Sequence, residues 1–218
     1  MPARLTWDNT GEKKFEAGTD HGVLYTIDSS GQYEDGVAWN GLTGVTESNT
    51  GGEETALWAD NIKYASLRSA EEFGGTIEAY MCPREFYQCD GSDELATGVY
   101  IGQQSRKSFG LSYRTKIGND VMGTDYGYKL HLVYGASVSP TEKAYTTINE
   151  SPEGISLSWE FATTPVPVTG KKPTAHLIID STEIDSAKLE DIEDILYGSS
   201  SANARLPLPD EIITIMGS

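Results

Sequence analysis

Cysteine and histidine are scarce in this sequence, with two of the first and three of the second in 218 residues. Cys82 and Cys89 alone cannot furnish a four-ligand zinc cage, and their spacing around an expected helical turn makes a mutual disulfide awkward. Reduced, buried thiols are therefore expected. His21, His131 and His176 are too scattered to suggest a metal cluster by spacing. Basic residues are also in deficit, 16 against 33 acidic ones, for a net charge of −17. A surface this acidic repels phosphate backbones instead of releasing their counterions, which excludes tight DNA binding but suits a wall past which DNA slides.

No apolar run reaches the ~18 residues of a membrane-crossing helix, and the stretch Met1 through Asp8 lacks the apolar segment of an export signal. Missing too are the G-x-S-x-G elbow, H-E-x-x-H, the Walker loop and G-x-G-x-x-G. Carboxylates are so numerous that any chosen pair is a weak sign of glycosidase chemistry. No catalytic residue, metal or cofactor is expected, and the chain is read as a non-enzyme. Asp90 through Glu94 departs from the EF-hand spacing and reads as a helix-ending turn. Asn149-Glu150-Ser151 matches a glycosylation acceptor by chance, since Pro152 follows it and no export signal accompanies it.

What is present is the signature of a turn-rich β protein. The 38% hydrophobic content is enough for a packed core, and 23 glycines and nine prolines are spread along the chain. Period-two alternation marks Tyr126 through Tyr134, Phe109 through Tyr113 and Ile155 through Phe161 as strands with one apolar face. It also puts His131 on the face opposite the Tyr126–Tyr134 series. Shorter strands are expected at Val23 through Ile27 and Thr76 through Met81, and a more continuously buried one at Ala175 through Ile179. Helix is confined to a short segment from Pro83 to before Gly91 and an amphipathic one over Ala187 through Tyr197. The second would be capped by Asp185 or Ser186 and ended by Gly198. The expectation is a mainly β, sandwich or barrel-like domain over 1–198 and a C-terminal extension over 199–218.

Two stretches fit a lone compact domain poorly. Asn40 through Asp60 threads glycines among polar residues yet carries Leu42, Val45, Leu57 and Trp58. That combination suits either a hairpin arm ordered against a neighbour or a mobile loop. The tail carries Leu206, Leu208, Ile212, Ile213 and Ile215 after a polar hinge. It would form an edge strand of its own sheet or add to a neighbour's.

Tyr64 through Tyr80, running into Pro83-Arg84-Glu85-Phe86, resembles major tail proteins of long-tailed bacteriophages, particularly those of Gram-positive hosts. Phe109 through Arg114 leading to Gly118-Asn119-Asp120, Tyr128 through Ala136, Glu153 through Phe161 and Ala204 through Glu211 resemble the same family in the same order. The resemblance implies a tail-tube subunit that forms hexameric rings, stacked into a hollow tube around a tape-measure protein and meeting tail terminator and distal tail proteins. It would sit in the virion tail, of the flexible non-contractile kind, after assembly in the host cytoplasm, and would conduct DNA. Some relatives carry an added immunoglobulin-like domain, for which this chain is too short. On this reading Glu47, Glu53, Glu54 and Asp60 are candidates for the lumen wall. Leu42, Val45, Leu57, Trp58, Leu206, Leu208, Ile212, Ile213 and Ile215 are candidates for contacts between subunits. The rival readings are a monomeric β-sandwich that binds carbohydrate or another ligand through exposed aromatics such as Trp39 and Trp58, and an acidic hydrolase.

Overall fold

Alternating apolar and polar residues become strands through most of the chain. The computed structural model describes residues 4–148, 150 and 154–217. The Asn149–Ser151 acceptor match and the turn expected around Pro152 lie largely outside them. The chain opens with β1 (Lys14–Thr26), β2 (Val37–Ala38) and β3 (Leu42–Glu47). It continues through β4 (Thr50–Gly51), β5 (Glu54–Ala59), β6 (Ile62–Arg68), β7 (Glu71–Glu72) and β8 (Gly74–Ala79). After a 3-10 turn at Arg84–Gln88 come β9 (Asp93–Ala96), β10 (Val99–Ile101), β11 (Phe109–Asn119), β12 (Gly123–Val138), β13 (Leu157–Thr163) and β14 (His176–Asp180). Two helices, α1 (Ser186–Tyr197) and α2 (Pro209–Gly217), complete it. The mainly β expectation holds, and all six stretches expected as strands fall at β1, β8, β11, β12, β13 and β14.

Eight strands form one antiparallel sheet in the order β2-β1-β11-β12-β13-β8-β3, with β14 also paired to β12. The sheet curls until its two ends meet. A Cβ on Gly22 of β1 would lie only 2.9 Å from Leu42 of β3. Inside the curl, Leu24, Phe86, Phe109, Leu111, Val133, Trp159 and Phe161 form one core. Outside it, Val23, Tyr25, Leu130, Leu132 and Tyr134 form a second core beneath Leu189, Ile192, Leu196, Leu206 and Ile212 of the C-terminal segment.

β12 serves both cores, so its alternation must be in phase with each. Leu130, Leu132 and Tyr134 face outward and His131 and Val133 inward, but Ala136 and Val138 also face inward. The change of phase is a bulge: Leu111 pairs with Val133 while Phe109 pairs with Ala136. Gly135 sits at the bulge with φ +59°, and a Cβ there would lie 2.4 Å from the Thr164 carbonyl oxygen. Only glycine satisfies both conditions.

The amphipathic helix forms as expected. Asp185 caps it by accepting from the Ala187 and Lys188 amides at 3.0 and 3.4 Å, and Leu189, Ile192 and Leu196 are buried. The segment after Pro83 is the short helix expected, of the 3-10 kind over Arg84–Gln88, with Phe86 buried in the core. Three expectations need correction. Asp90 through Glu94 does end that turn, but Asp93 and Glu94 already belong to β9, paired with β10 in a small separate hairpin. β14 is not buried on both faces, since Ile178 is exposed. The tail forms neither kind of edge strand: it is α2, whose Ile212 enters the outer core. The tail is also tied to the rest of the chain by hydrogen bonds. The Gly36 amide donates to Ala204, the Arg205 amide to Ile195 and the Tyr134 hydroxyl to Pro207, at 2.7, 2.8 and 3.0 Å.

Cys82 and Cys89 are free thiols, and burial pushes their pKa values up to about 11 and about 12. Both should resist alkylation near pH 8 in the native protein and react fully in denaturant, as mass spectrometry of iodoacetamide-treated samples would read. Gly135→Ala should cost roughly 2–3 kcal/mol of stability in urea unfolding, from left-handed strain plus the clash at Thr164.

Candidate functional site

The segment between β3 and β8 is one interrupted ribbon. β3 pairs with β8, β4 with β7 and β5 with β6, all antiparallel, so the chain runs out from Leu42 and returns to Ala79. Its tip is the two-residue turn Asp60-Asn61, with φ +50° and +62°. This is the left-handed pair that a type I′ hairpin demands, and both residue types tolerate it. The expected arm over 40–60 therefore covered only the outgoing half. The returning half, Ile62 through Glu72, belongs to it equally.

The ribbon has two parts of different character. At its base Leu42 and Val45 are half-buried and pack against the inner core. Beyond β4 the side chains meet solvent: Trp58 is 70% exposed, Ile62 63% and Tyr64 73%, with Leu57 and Leu67 also exposed. The acidic candidates are spread along the ribbon. Asp60 is at the tip and Glu53 lies between β4 and β5. Glu54 is tied to Lys63, Ser66 and Arg68, whose hydrogen bonds, that of Lys63 foremost, hold its carboxyl below the usual range. A second apolar outcrop, unremarked in the sequence, is the β9–β10 hairpin with Leu95 and Val99. In the tail, Leu206 and Ile212 are buried and Ile215 packs against the outer core, whereas Leu208 and Ile213 remain exposed. Trp39, considered for sugar binding, is 3% exposed. It packs on Phe86 and Trp159 and donates to the Met81 carbonyl at 2.9 Å.

Glu47, the fourth of the acidic candidates, is the last residue of β3. It faces the interior of the curl and meets two histidines that the sequence separates from each other by 45 residues. Its Oε1 lies 3.3 Å from His131 Nδ1 and 3.6 Å from His176 Nε2, and the two ring nitrogens are 3.2 Å apart. The Tyr113 hydroxyl donates to the same oxygen at 2.7 Å, and Thr115 Oγ1 is 3.0 Å from His131 Nε2. Tyr113 stacks on His131 and Phe73 on His176. The expectation that the histidines are too scattered to cluster is thus overturned for His131 and His176. Their strand pairing does it, since His131 and His176 lie on adjacent strands where Val133 pairs with His176. Burial pushes the His131 pKa down to about 4 and that of His176 in the same direction, with Glu47 opposing.

No helix among the described residues is long and apolar enough to cross a membrane. No protein-family model matches the chain, and no curated protein matches it.

Because Trp58 and Tyr64 contribute nothing to either core, Trp58→Ala and Tyr64→Ala should leave stability within roughly 0.5 kcal/mol of the parent. Tyr113→Phe, which strips a part-buried hydrogen bond to the Glu47 carboxylate, should cost roughly 1–3 kcal/mol. Urea unfolding of the three variants checks the contrast.

Proposed function

We propose that the protein is a structural subunit that assembles with copies of itself, the tail-tube protein of a long-tailed bacteriophage. On this reading the curled sheet is the wall of a hexameric ring. Rings stack into a hollow virion tube that encloses a tape-measure protein, is bounded by terminator and distal tail proteins, and later passes DNA. The protein is not an enzyme. The observation that carries the reading is the outer ribbon, in which β5 and β6 present Leu57, Trp58, Ile62, Tyr64 and Leu67 to solvent from a chain whose two cores are already complete. A two-stranded hairpin is marginal alone in water. Exposed apolar clusters on its surface mark a place where another molecule sits. A second copy is the occupant the resemblance supports.

The charge fits the same role. With a net charge of −17 per chain, neighbouring copies repel at low salt, and a lumen lined by this protein would not hold phosphates. The carbohydrate-binding reading loses one of its two aromatic platforms, because Trp39 is a core residue. Trp58 remains, exposed on the outer ribbon.

Negative-stain microscopy of concentrated protein should show stacked rings. Replacing 54–67 by a short turn, or combining Leu208→Ser with Ile213→Ser, should leave a folded monomer that forms none. Sodium chloride raised from about 10 to 150 mM shortens the Debye length from roughly 30 to 8 Å and should promote assembly. A parent protein that stays monomeric at high concentration and is stabilised by a sugar overturns the assignment.

A further inference from the structure

We propose that Glu47, His131 and His176 form a zinc site that fastens the base of the ribbon to the sheet. The three facing atoms, Glu47 Oε1, His131 Nδ1 and His176 Nε2, are separated by 3.2, 3.3 and 3.6 Å. A tetrahedral zinc ion with bonds of 2.0–2.1 Å needs ligand atoms about 3.3 Å apart. The spacing is thus that of one face of a zinc tetrahedron. Two imidazoles and one carboxylate are also a ligand set that zinc accepts with a fourth position left for water. Calcium and magnesium, which prefer all-oxygen shells, do not suit it.

The surroundings support the ligands as metal sites require. His131 binds through Nδ1, which leaves Nε2–H to donate to Thr115 Oγ1 at 3.0 Å and fixes the tautomer. The Tyr113 hydroxyl orients the carboxylate at 2.7 Å. Tyr113 and Phe73 stack on the two imidazoles and hold the ring planes. Without an ion, a proton on His176 Nε2 can serve His131 Nδ1 while Glu47 accepts from Tyr113. A cation would take that proton's place and draw on all three atoms together. The Glu47 side chain is 38% exposed, so the point where the ligands meet is open to solvent on its side.

The ligands come from β3, β12 and β14. β3 lies at one end of the sheet order while β12 and β14 lie at its middle, so one ion would cross-link the curl. Glu47 directly precedes Ser48, whose amide donates to Gly74 at 2.8 Å, and the exposed ribbon begins there. The ion would therefore set the rigid base from which the ribbon projects. Its presence in a dilute single copy does not depend on assembly.

The untagged full chain, stripped with chelator and kept dilute, is titrated with zinc by calorimetry and with cobalt(II) by visible absorption. One equivalent of zinc should bind and raise the melting temperature, and cobalt should give the intense visible bands of a tetrahedral site without a thiolate charge-transfer band. Thr115→Val should weaken zinc binding roughly 10–100-fold. Glu47→Gln and His176→Gln, checked for folding by circular dichroism, should weaken it further, and Cys82→Ser should leave it unchanged. The proposal fails if the parent chain binds no zinc, if its cobalt spectrum lacks tetrahedral bands, or if folded Glu47→Gln binds as tightly as the parent. The cobalt spectrum of the parent decides the matter even if a ligand variant does not fold.

Discussion

Burial of β12 on both faces is the constraint from which the rest of the molecule follows. A strand with one wet face needs only alternation, but β12 must supply an outer core under the helices and an inner core within the curl. Every residue between Leu130 and Tyr134 is consequently buried. The bulge at Gly135 lets the same strand turn from one set of neighbours to another. Before it β12 pairs with β14, and after it with β13. That change of partner is what bends the sheet and brings β3 round to face β1. The helices follow from the same condition, since an outer face carrying Leu130, Leu132 and Tyr134 must be covered. α1, α2 and the Leu206 segment provide that cover.

This double burial also explains what could be read from the sequence. Tyr126 through Tyr134 was legible because its outer residues repeat at period two, and His131 does lie on the opposite face. The amphipathic helix was legible because Asp185 caps it and Leu189, Ile192 and Leu196 share a face. The tail was legible as apolar but not as helical. Its hydrophobic residues cluster at Ile212, Ile213 and Ile215, a pattern as compatible with a strand as with one short helix. What decides for helix is the uncovered outer face of a sheet formed far upstream, which local pattern does not contain. The ribbon was half legible for a similar reason: Asp60-Asn61 is a weaker turn signal than a glycine-containing pair, so the midpoint of the arm looked like its end.

The Glu47 cluster was illegible for a different reason. Its three residues lie at 47, 131 and 176, and no spacing rule links them. They meet only because β12 pairs with β14 and because the curl carries β3 over them. The one available signal was parity. His131 lies on the strand face shared with Val133, and Glu47 shares a face with Val45, both of which point to the inner core. A charged and a titratable residue placed in phase with core positions on two strands is the pattern worth pursuing, because buried polar groups must find partners.

The same cluster bears on how an exposed ribbon can be useful to an assembly. An arm that orders against a neighbour loses less conformational entropy on docking if its base is already fixed. Here the fixing is visible in the chain itself. Leu42 and Val45 pack in the core, Glu47 is held by Tyr113 and two histidines, and the Ser48 amide closes onto Gly74. Beyond that point Gly51 and Gly52 adopt positive φ, at +79° and +71°, and the apolar residues face outward. The transition from anchored to exposed thus occurs within about five residues of one strand end. Exposure is concentrated in the outer part of the ribbon, while contacts within the single copy fix its base.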